Sequence, residues 1–269
     1  MRNNLIFFIV IVFFVPACQS VQSSDLDESN RFFEKGDYVR TVNTIDNISK
    51  KRILNFDERK LRGLSYGKMN NYLGAIRDYR YCWELKKNDK TVLFNLAQCY
   101  STIGAKDSAI VFYSHLLGID STNSTALNER ALCYINKQRL DDALSDLKKA
   151  RQLDPNSYMV YNNIGQIAEI RGNYLDAVKN YNISIAKNDK EDLVYYNRAI
   201  SYMSLHKSDS AMSDFGKAIA INPTESAYYL NRGLAYHELK KDIEACRDIG
   251  WAALLKNKSA VRIREKYCK

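Results

Sequence analysis

Proline and glycine are scarce in this chain, with three and eleven copies among 269 residues. Both residues mark turns, so a sequence this poor in them gives few of the signals that separate the strands of an all-β protein. Leu, Ala, Lys, Asn and Tyr are instead plentiful. We therefore expect a mainly helical protein, long enough for one large domain or two ordinary ones.

The residues that carry most catalysis are also few. Three histidines (His115, His206 and His237) are widely separated and accompany no obvious nucleophile. The cysteines follow no Cys-x-x-Cys zinc spacing, and the sequence contains no phosphate-binding loop or Gly-x-Ser-x-Gly elbow. We expect no enzyme activity, metal site, cofactor or small-molecule substrate.

Long apolar runs are missing except at the N-terminus. Residues 5–15 (LIFFIVIVFFV) follow the positively charged Arg2 and are eleven consecutive apolar residues. A helix that spans a bilayer needs about 20. The pattern is typical of a secretory signal, with a charged start, an apolar centre and a small residue at the cleavage site.

A cysteine follows that small residue. The motif VPAC at residues 15–18 resembles a bacterial lipobox, with Pro16 where Ala, Ser or Thr is usual. The resemblance implies that residues 1–17 are a cleaved signal peptide and that Cys18 carries diacylglycerol on its sulfur and an acylated amine. Residues 18–28 are polar and predict a flexible tether. A simple cleaved signal with a coincidental cysteine, or an uncleaved anchor, are the alternatives.

The lipobox resemblance also implies a location in the bacterial cell envelope. Gln19, rather than Asp, follows the cysteine and implies sorting to the outer membrane, facing the periplasm. Cleavage removes Arg2, so the net charge falls by one from +9 to +8. Outside the cytoplasm a basic protein meets anionic lipid, cell-wall polymer or an acidic partner rather than nucleic acid. The positive residues cluster only near the C-terminus, where a solvated terminal helix and a binding patch both explain them.

The feature that decides the fold is an internal repeat of 34 residues. A bulky apolar residue follows the repeated alanine by four positions, and a small residue precedes it by twelve. The same spacing extended backwards reaches Thr41. The alanines are Ala75, Ala109, Ala143, Ala177, Ala211 and Ala245. Seven copies keep this register without a slip.

The repeat resembles the tetratricopeptide repeat (TPR) over nearly all of the mature chain. Its copies are residues 22–55, 56–89, 90–123, 124–157, 158–191, 192–225 and 226–259. The resemblance implies an all-α solenoid of seven stacked TPR helical hairpins, wound as a right-handed superhelix. The array would occupy residues 29–259, and residues 260–269 would form a short polar capping helix.

The spacing also has a physical reason that does not depend on the family. Apolar residues recur at helical spacing in two stretches per copy. The stretches are separated by a residue such as Asn70 or Gly172, which can end a helix in the left-handed conformation. Small residues at positions 8 and 20 of each copy let the two helices approach closely. One hairpin cannot bury its own apolar face, so successive hairpins stack.

By resemblance, the first helix of each hairpin lines the inner surface of the superhelix. Asparagines recur at inward positions, namely Asn95, Asn128, Asn163, Asn197 and Asn231. A row of amides can hold an extended peptide backbone, because each amide both donates and accepts hydrogen bonds. The alternative is that these amides meet only water.

The inner surface is expected to become apolar in copies 6 and 7. The residues of this predicted apolar patch are Leu193, Tyr196, Ile200, Met203, Leu230 and Leu234. Patches of this kind usually mark interaction sites. The alternative is that the C-terminal helix folds back and covers the patch.

Four cysteines, Cys82, Cys99, Cys133 and Cys246, are interpreted as small buried apolar residues. Whether Cys246 instead forms a disulfide with Cys268 is left open by the sequence.

Together these features predict a non-catalytic, membrane-anchored scaffold that binds an envelope protein or an extended peptide in its groove. The alternative function is a periplasmic holdase-type chaperone or assembly factor that binds unfolded clients through the apolar patch.

Overall fold

A computed structural model describes residues 17–268 of the chain, and these residues form helices without strands. The helices are α1 (Ala17–Glu34), α2 (Tyr38–Ser49), α3 (Phe56–Lys68), α4 (Tyr72–Leu85), α5 (Lys90–Thr102), α6 (Lys106–Ile119), α7 (Ser124–Asn136), α8 (Leu140–Leu153), α9 (Tyr158–Ile170), α10 (Tyr174–Lys187), α11 (Asp192–Ser204), α12 (Ser208–Ile221), α13 (Ser226–Glu238), α14 (Asp242–Leu254) and α15 (Lys258–Tyr267).

The helices recur at the pitch of the sequence repeat. The first helices of copies 2 to 7 begin at Phe56, Lys90, Ser124, Tyr158, Asp192 and Ser226, at intervals of 34 residues. The second helices keep the same interval from Tyr38 to Asp242. The prediction of an all-α solenoid of helical hairpins is confirmed.

The chain divides into two compact units, one ending at Ala105 and the other beginning at Lys106. Unit 1 contains α1–α5 and unit 2 contains α6–α15. Within each unit, every helix contacts its neighbours in the sequence. First helices of successive hairpins also contact each other, as α1 does with α3 and α7 does with α9. Each unit is therefore a stack of hairpins with its first helices side by side.

Small residues bring the two helices of a hairpin together, as predicted. A Cβ atom on Gly165 would lie 2.7 Å from Cε1 of Tyr181, and a Cβ atom on Gly63 would lie 2.9 Å from Cε1 of Tyr79. Both tyrosines are buried. Large side chains thus fill the space that glycine leaves empty.

A left-handed residue ends the first helix of every copy. Gly36, Asn70, Gly104 and Gly172 have φ values between 58° and 84°, which confirms the predicted breaks. The other three copies place Gln138, His206 and Lys240 in the same conformation, with φ between 56° and 59°. The N–H of the next residue then bonds back to the helix, as Lys207 does to the Tyr202 carbonyl at 2.9 Å. These three positions give no left-handed signal in the sequence.

The N-terminal helix is longer than expected. Residues 18–28, predicted as a flexible tether, lie within α1. The segment contains no proline or glycine, and Leu26 packs with Phe33 against the buried cluster of unit 1. That cluster consists of Ile45, Ile48, Leu54 and Leu61. The rest of the predicted signal, residues 1–16, lies outside the described residues, so lipidation of Cys18 stays a prediction.

The C-terminal helix α15 packs on α14, as expected of a cap, and begins two residues before the predicted position 260. A disulfide joins Cys246 on α14 to Cys268 at the end of α15. The interpretation of Cys246 as a buried free thiol is therefore wrong, because α15 brings Cys268 against it. Cys82, Cys99 and Cys133 are buried, as predicted, and none of the three forms a disulfide with another described residue. Within residues 17–268, no helix has the combination of length and hydrophobicity that crossing a bilayer requires.

Candidate peptide-binding groove

The first helices of unit 2 form the surface on which the sequence places a groove. α9 contacts both α7 and α11, whereas the second helices contact mainly their own hairpin and the next first helix. The first helices are therefore closer together and lie on the inner side of the stack. We call their inward surface, formed by α7, α9, α11 and α13, the unit 2 groove.

The asparagines of the unit 2 groove are joined in what we call the amide ladder. Its rungs are hydrogen bonds from position 6 of one copy to position 5 of the copy before it. Asn163 Nδ2 donates to Asn128 Oδ1 (2.9 Å), Asn197 Nδ2 donates to Asn162 Oδ1 (3.2 Å), and Asn231 Nδ2 donates to Tyr196 Oη (3.0 Å). The amides therefore connect successive hairpins.

These bonds separate the predicted row of amides into buried members that serve the fold and half-buried members that remain open to a ligand. Asn128 and Asn163 are buried, so their bond serves the fold. Asn197 and Asn231 are half-buried, and their Oδ1 atoms receive no hydrogen bond from the described residues. Both oxygens can accept a backbone N–H from a bound segment. Asn95 belongs to unit 1, where its amide donates to the Thr91 carbonyl (2.8 Å) beside a cavity of about 270 Å³.

Two half-buried carboxyl groups accompany the amide ladder. Glu169 Oε2 accepts hydrogen bonds from Ser201 Oγ (2.9 Å) and Tyr181 Oη (3.1 Å). The carboxylate of this α9 residue is therefore bonded to both α10 and α11. Burial raises the pKa of Glu169, although both hydrogen bonds favour the ionised form. Burial likewise raises the pKa of Glu129 on α7, against the effects of Asn128 and Lys106. No cation among the described residues forms an ion pair with Glu169.

The predicted apolar patch is smaller than the sequence suggested. Tyr196, Ile200 and Met203 are half-buried and pack against the buried core of α11 and α12. Tyr196 also stacks on Tyr228, with ring centroids 5.0 Å apart. Leu230 packs against the cluster shared by α14 and α15. Of this set, Leu193 and Leu234 remain exposed.

The capping helix reaches the last part of the patch. Leu234 lines a cavity of about 420 Å³ together with Ile249 of α14 and Ile263 and Tyr267 of α15. The cap therefore lies beside the groove at copy 7. It partly covers Leu230 and Leu234 and does not cover the rest of the predicted apolar patch.

Comparison with known proteins identifies the repeat. Family models of the tetratricopeptide repeat match residues 91–123, 124–157 and 193–225. The chain contains tetratricopeptide repeats. A crystal structure of a TPR protein from Parabacteroides merdae is similar to it with a TM-score of 0.77 at 22% identity, over 93% of this chain and 100% of that one. At this identity the similarity shows the fold alone.

Two curated proteins are similar over shorter stretches. FK506-binding protein 59 of Drosophila melanogaster is 27% identical over 147 residues, which are 49% of this chain and 34% of that protein. Human tetratricopeptide repeat protein 28 is 31% identical over 83 residues, which are 31% of this chain and 3% of that protein. The chain thus spans about a third or less of the curated relatives it matches. TPR proteins generally mediate protein–protein interactions, and the TPR fold is typically non-catalytic.

One set of interactions in the TPR hairpins was missed by sequence reasoning. An arginine at position 7 forms two hydrogen bonds with an aspartate sixteen residues later, at 2.6 to 3.0 Å. The pairs are Arg62–Asp78, Arg130–Asp146, Arg198–Asp214 and Arg232–Asp248. Arg198 also donates to Asn182 of the preceding hairpin (2.6 Å). The constant spacing of sixteen residues between arginine and aspartate in the sequence could have predicted these pairs.

Proposed function

We propose that the unit 2 groove binds an extended segment of another protein, so that the chain acts as a scaffold. The observation that carries the proposal is the set of unused acceptors on the inward surface. Asn197 and Asn231 each have a free amide oxygen, and Glu169 is a half-buried carboxylate with no cationic partner. None of these oxygens is among the buried unsatisfied atoms of the described residues, so each is accessible to a bound segment.

The chemistry of these groups describes the bound segment. Free amide oxygens accept backbone N–H groups, which favours an extended chain whose own hydrogen bonds are open. Glu169 favours a lysine or arginine opposite α9 and α11. Leu193 and Leu234 remain exposed towards the C-terminal part of the groove and favour apolar side chains there. The expected ligand is therefore an extended peptide with basic and apolar side chains.

The smaller apolar patch supports a scaffold over the holdase alternative. A holdase needs a broad exposed apolar surface, whereas Tyr196, Ile200 and Met203 are largely engaged with the core. A soluble form beginning at Leu26 separates the two functions in a crosslinking pull-down from the native envelope. A scaffold should yield one dominant partner. Many clients, together with suppressed aggregation of an unrelated protein, would instead indicate a holdase.

The binding mode is tested on the captured partner. Glu169→Lys should abolish binding through charge repulsion, and Glu169→Gln should weaken it. Lys179→Glu, on the exposed outer side of the same hairpin, is the matched control and should bind as the wild type does. Equal binding by all three variants would exclude the groove as the binding surface.

We further propose that Cys18 is lipidated and holds the chain in the bacterial cell envelope, at the outer membrane facing the periplasm. The lipobox-like motif at residues 15–18 supports this location. Labelling with a radioactive fatty acid should mark the wild type and not Cys18→Ala, and the variant should leave the detergent phase. A Cys18→Ala protein that still carries label would contradict the lipid anchor.

A further inference from the structure

The outer face of the last second helix is unusually apolar. Ile243, Trp251 and Leu254 on α14 are 85%, 52% and 68% exposed. Their spacing of eight and three residues places them on one side of a helix with 3.6 residues per turn. Gly250 lies between them, and a Cβ there would meet nothing within 4 Å. The three side chains thus surround open space.

The repeat supplies an internal comparison for this face. The corresponding positions of α8 carry Asp141, Lys149 and Gln152. In α12 they are Asp209, Lys217 and Ala220, whereas α4 and α10 carry two large apolar residues each, Leu73 with Tyr81 and Leu175 with Ile183. Trp251 lies beside Tyr229 of α13, with ring centroids 6.4 Å apart, but half of its surface is exposed, and Ile243 and Leu254 are mostly exposed. Among the seven copies, copy 7 alone has large apolar residues at all three positions.

Basic residues adjoin the apolar face. Lys256 and Lys258 follow Leu254 within four residues, and both are exposed, as is Arg262 on α15. The three acidic residues of α14 offset only part of this charge, because they lie before Gly250 and the lysines follow Leu254. Asp248 is buried against Arg232, Asp242 forms a hydrogen bond with His237 at 2.9 Å, and Glu244 is half-buried in the first turn of α14. Glu265 is the one acidic residue of α15.

We propose that this face of α14, with the adjoining basic residues, docks on a membrane surface rich in anionic lipid headgroups. A tryptophan and aliphatic side chains beside lysine and arginine are the composition of interfacial membrane contacts. The apolar side chains enter the headgroup boundary while the cations remain at the phosphates. This contact lies outside the groove and requires neither lipidation nor a bound peptide.

Tryptophan fluorescence tests the contact at the residue itself. The chain contains only Trp83 and Trp251, so Trp83→Phe leaves one reporter in the full-length protein. With vesicles of equal parts phosphatidylglycerol and brominated phosphatidylcholine, Trp251 emission should shift to shorter wavelength and lose about half its intensity. Both changes should be absent with vesicles of brominated phosphatidylcholine alone, and about 0.5 M salt should abolish them in the mixed vesicles. The readout is local, so attachment through the N-terminus does not mimic it.

Paired variants in the same Trp83→Phe background complete the test. Ile243→Ser with Leu254→Ser should weaken vesicle binding measured at Trp251 by about tenfold. Leu175→Ser with Ile183→Ser, exposed apolar residues on the outer face of α10, should change nothing. Circular dichroism checks that both variants fold. Unchanged Trp251 emission, or self-association in sedimentation that Ile243→Ser removes, would overturn the proposal, the latter by assigning the face to a second copy of the chain.

Discussion

At the scale of single residues, the stack depends on places where one side chain leaves room for another. Gly165 is such a place, since a Cβ there would lie 2.7 Å from the buried ring of Tyr181. We predict that Gly165→Ala lowers the free energy of unfolding by about 1–3 kcal/mol, because the ring cannot move without disturbing the core. Urea denaturation followed by circular dichroism measures the change.

Gly250→Ala is the matched control, because it lies in the interior of α14 with nothing near its Cβ position. Alanine is favoured over glycine inside a helix by roughly 0.5–1 kcal/mol, so this variant should be as stable as the wild type or more stable. Equal destabilisation by both substitutions would show that close approach is not the reason for glycine at position 8.

Glu169 is the residue at which stability and binding are expected to conflict. Burial raises its pKa above the ordinary value of 4.5, so above the folded pKa its charge costs folding free energy. The cost disappears as the pH falls through the folded pKa. We predict that Glu169→Gln slightly stabilises the fold at pH 7, where the wild-type carboxylate is charged, and does not stabilise it at about pH 4.

Thermal denaturation at the two pH values measures this effect, with Glu238→Gln on the exposed end of α13 as control. The same Glu169→Gln variant should bind the partner less tightly. A loss of stability at pH 7 would mean that the carboxylate is needed by the fold, and its proposed role in binding would lose its support.

At the scale of helices, the arginine–aspartate pairs join the two helices of a hairpin. Asp214 is buried, and Asp214→Ala leaves Arg198 without its carboxylate. We predict a loss of about 3 kcal/mol for this single substitution. The third copy has Leu96 and Phe112 at the same two positions. The double variant Arg198→Leu with Asp214→Phe should therefore recover most of the loss. A double variant no more stable than Asp214→Ala would contradict this account of the pair.

Much of this helix-level organisation could be predicted from the sequence. The alanines and glycines at positions 8 and 20 give the places where helices meet, and steric contact makes these positions intolerant of larger residues. The left-handed turns were predictable where Gly or Asn occurs. At Gln138, His206 and Lys240 the turn follows from the helices on either side, because local preference alone disfavours it.

The amide ladder could not be derived from the sequence in the same way. Its bonds join residues 35 apart, one more than the repeat, and depend on how far each hairpin is rotated relative to the one before. A one-dimensional pattern does not contain that rotation. The error at the predicted tether has a similar cause. Residues 18–28 continue α1 because Leu26 packs on the core of unit 1, and the sequence alone does not show that this core lies beside it.

At the scale of the molecule, copies that contact mainly their neighbours predict tolerance to removal of a whole copy. Deleting residues 158–191 keeps the register, and Asn197 then lies where Asn163 would donate to Asn128. We predict a cooperatively folded chain whose helical content per residue, measured by circular dichroism, is unchanged. Deleting only residues 158–174 removes a first helix, exposes the core and should cause aggregation. Loss of cooperative unfolding after the 34-residue deletion would contradict a modular stack.

The inward surface of unit 2 is proposed to hold an extended segment of another protein. The most direct measurement is site-specific photo-crosslinking in cells, one position at a time. The groove positions are Leu132, Gln166, Ile200 and Leu234, and the matched outer positions, all exposed, are Ser145, Lys179, Ser213 and Arg247. We predict that the groove positions capture one partner, at successive sites along the partner's chain. Capture from the outer positions alone, or equally from both sets, would contradict it.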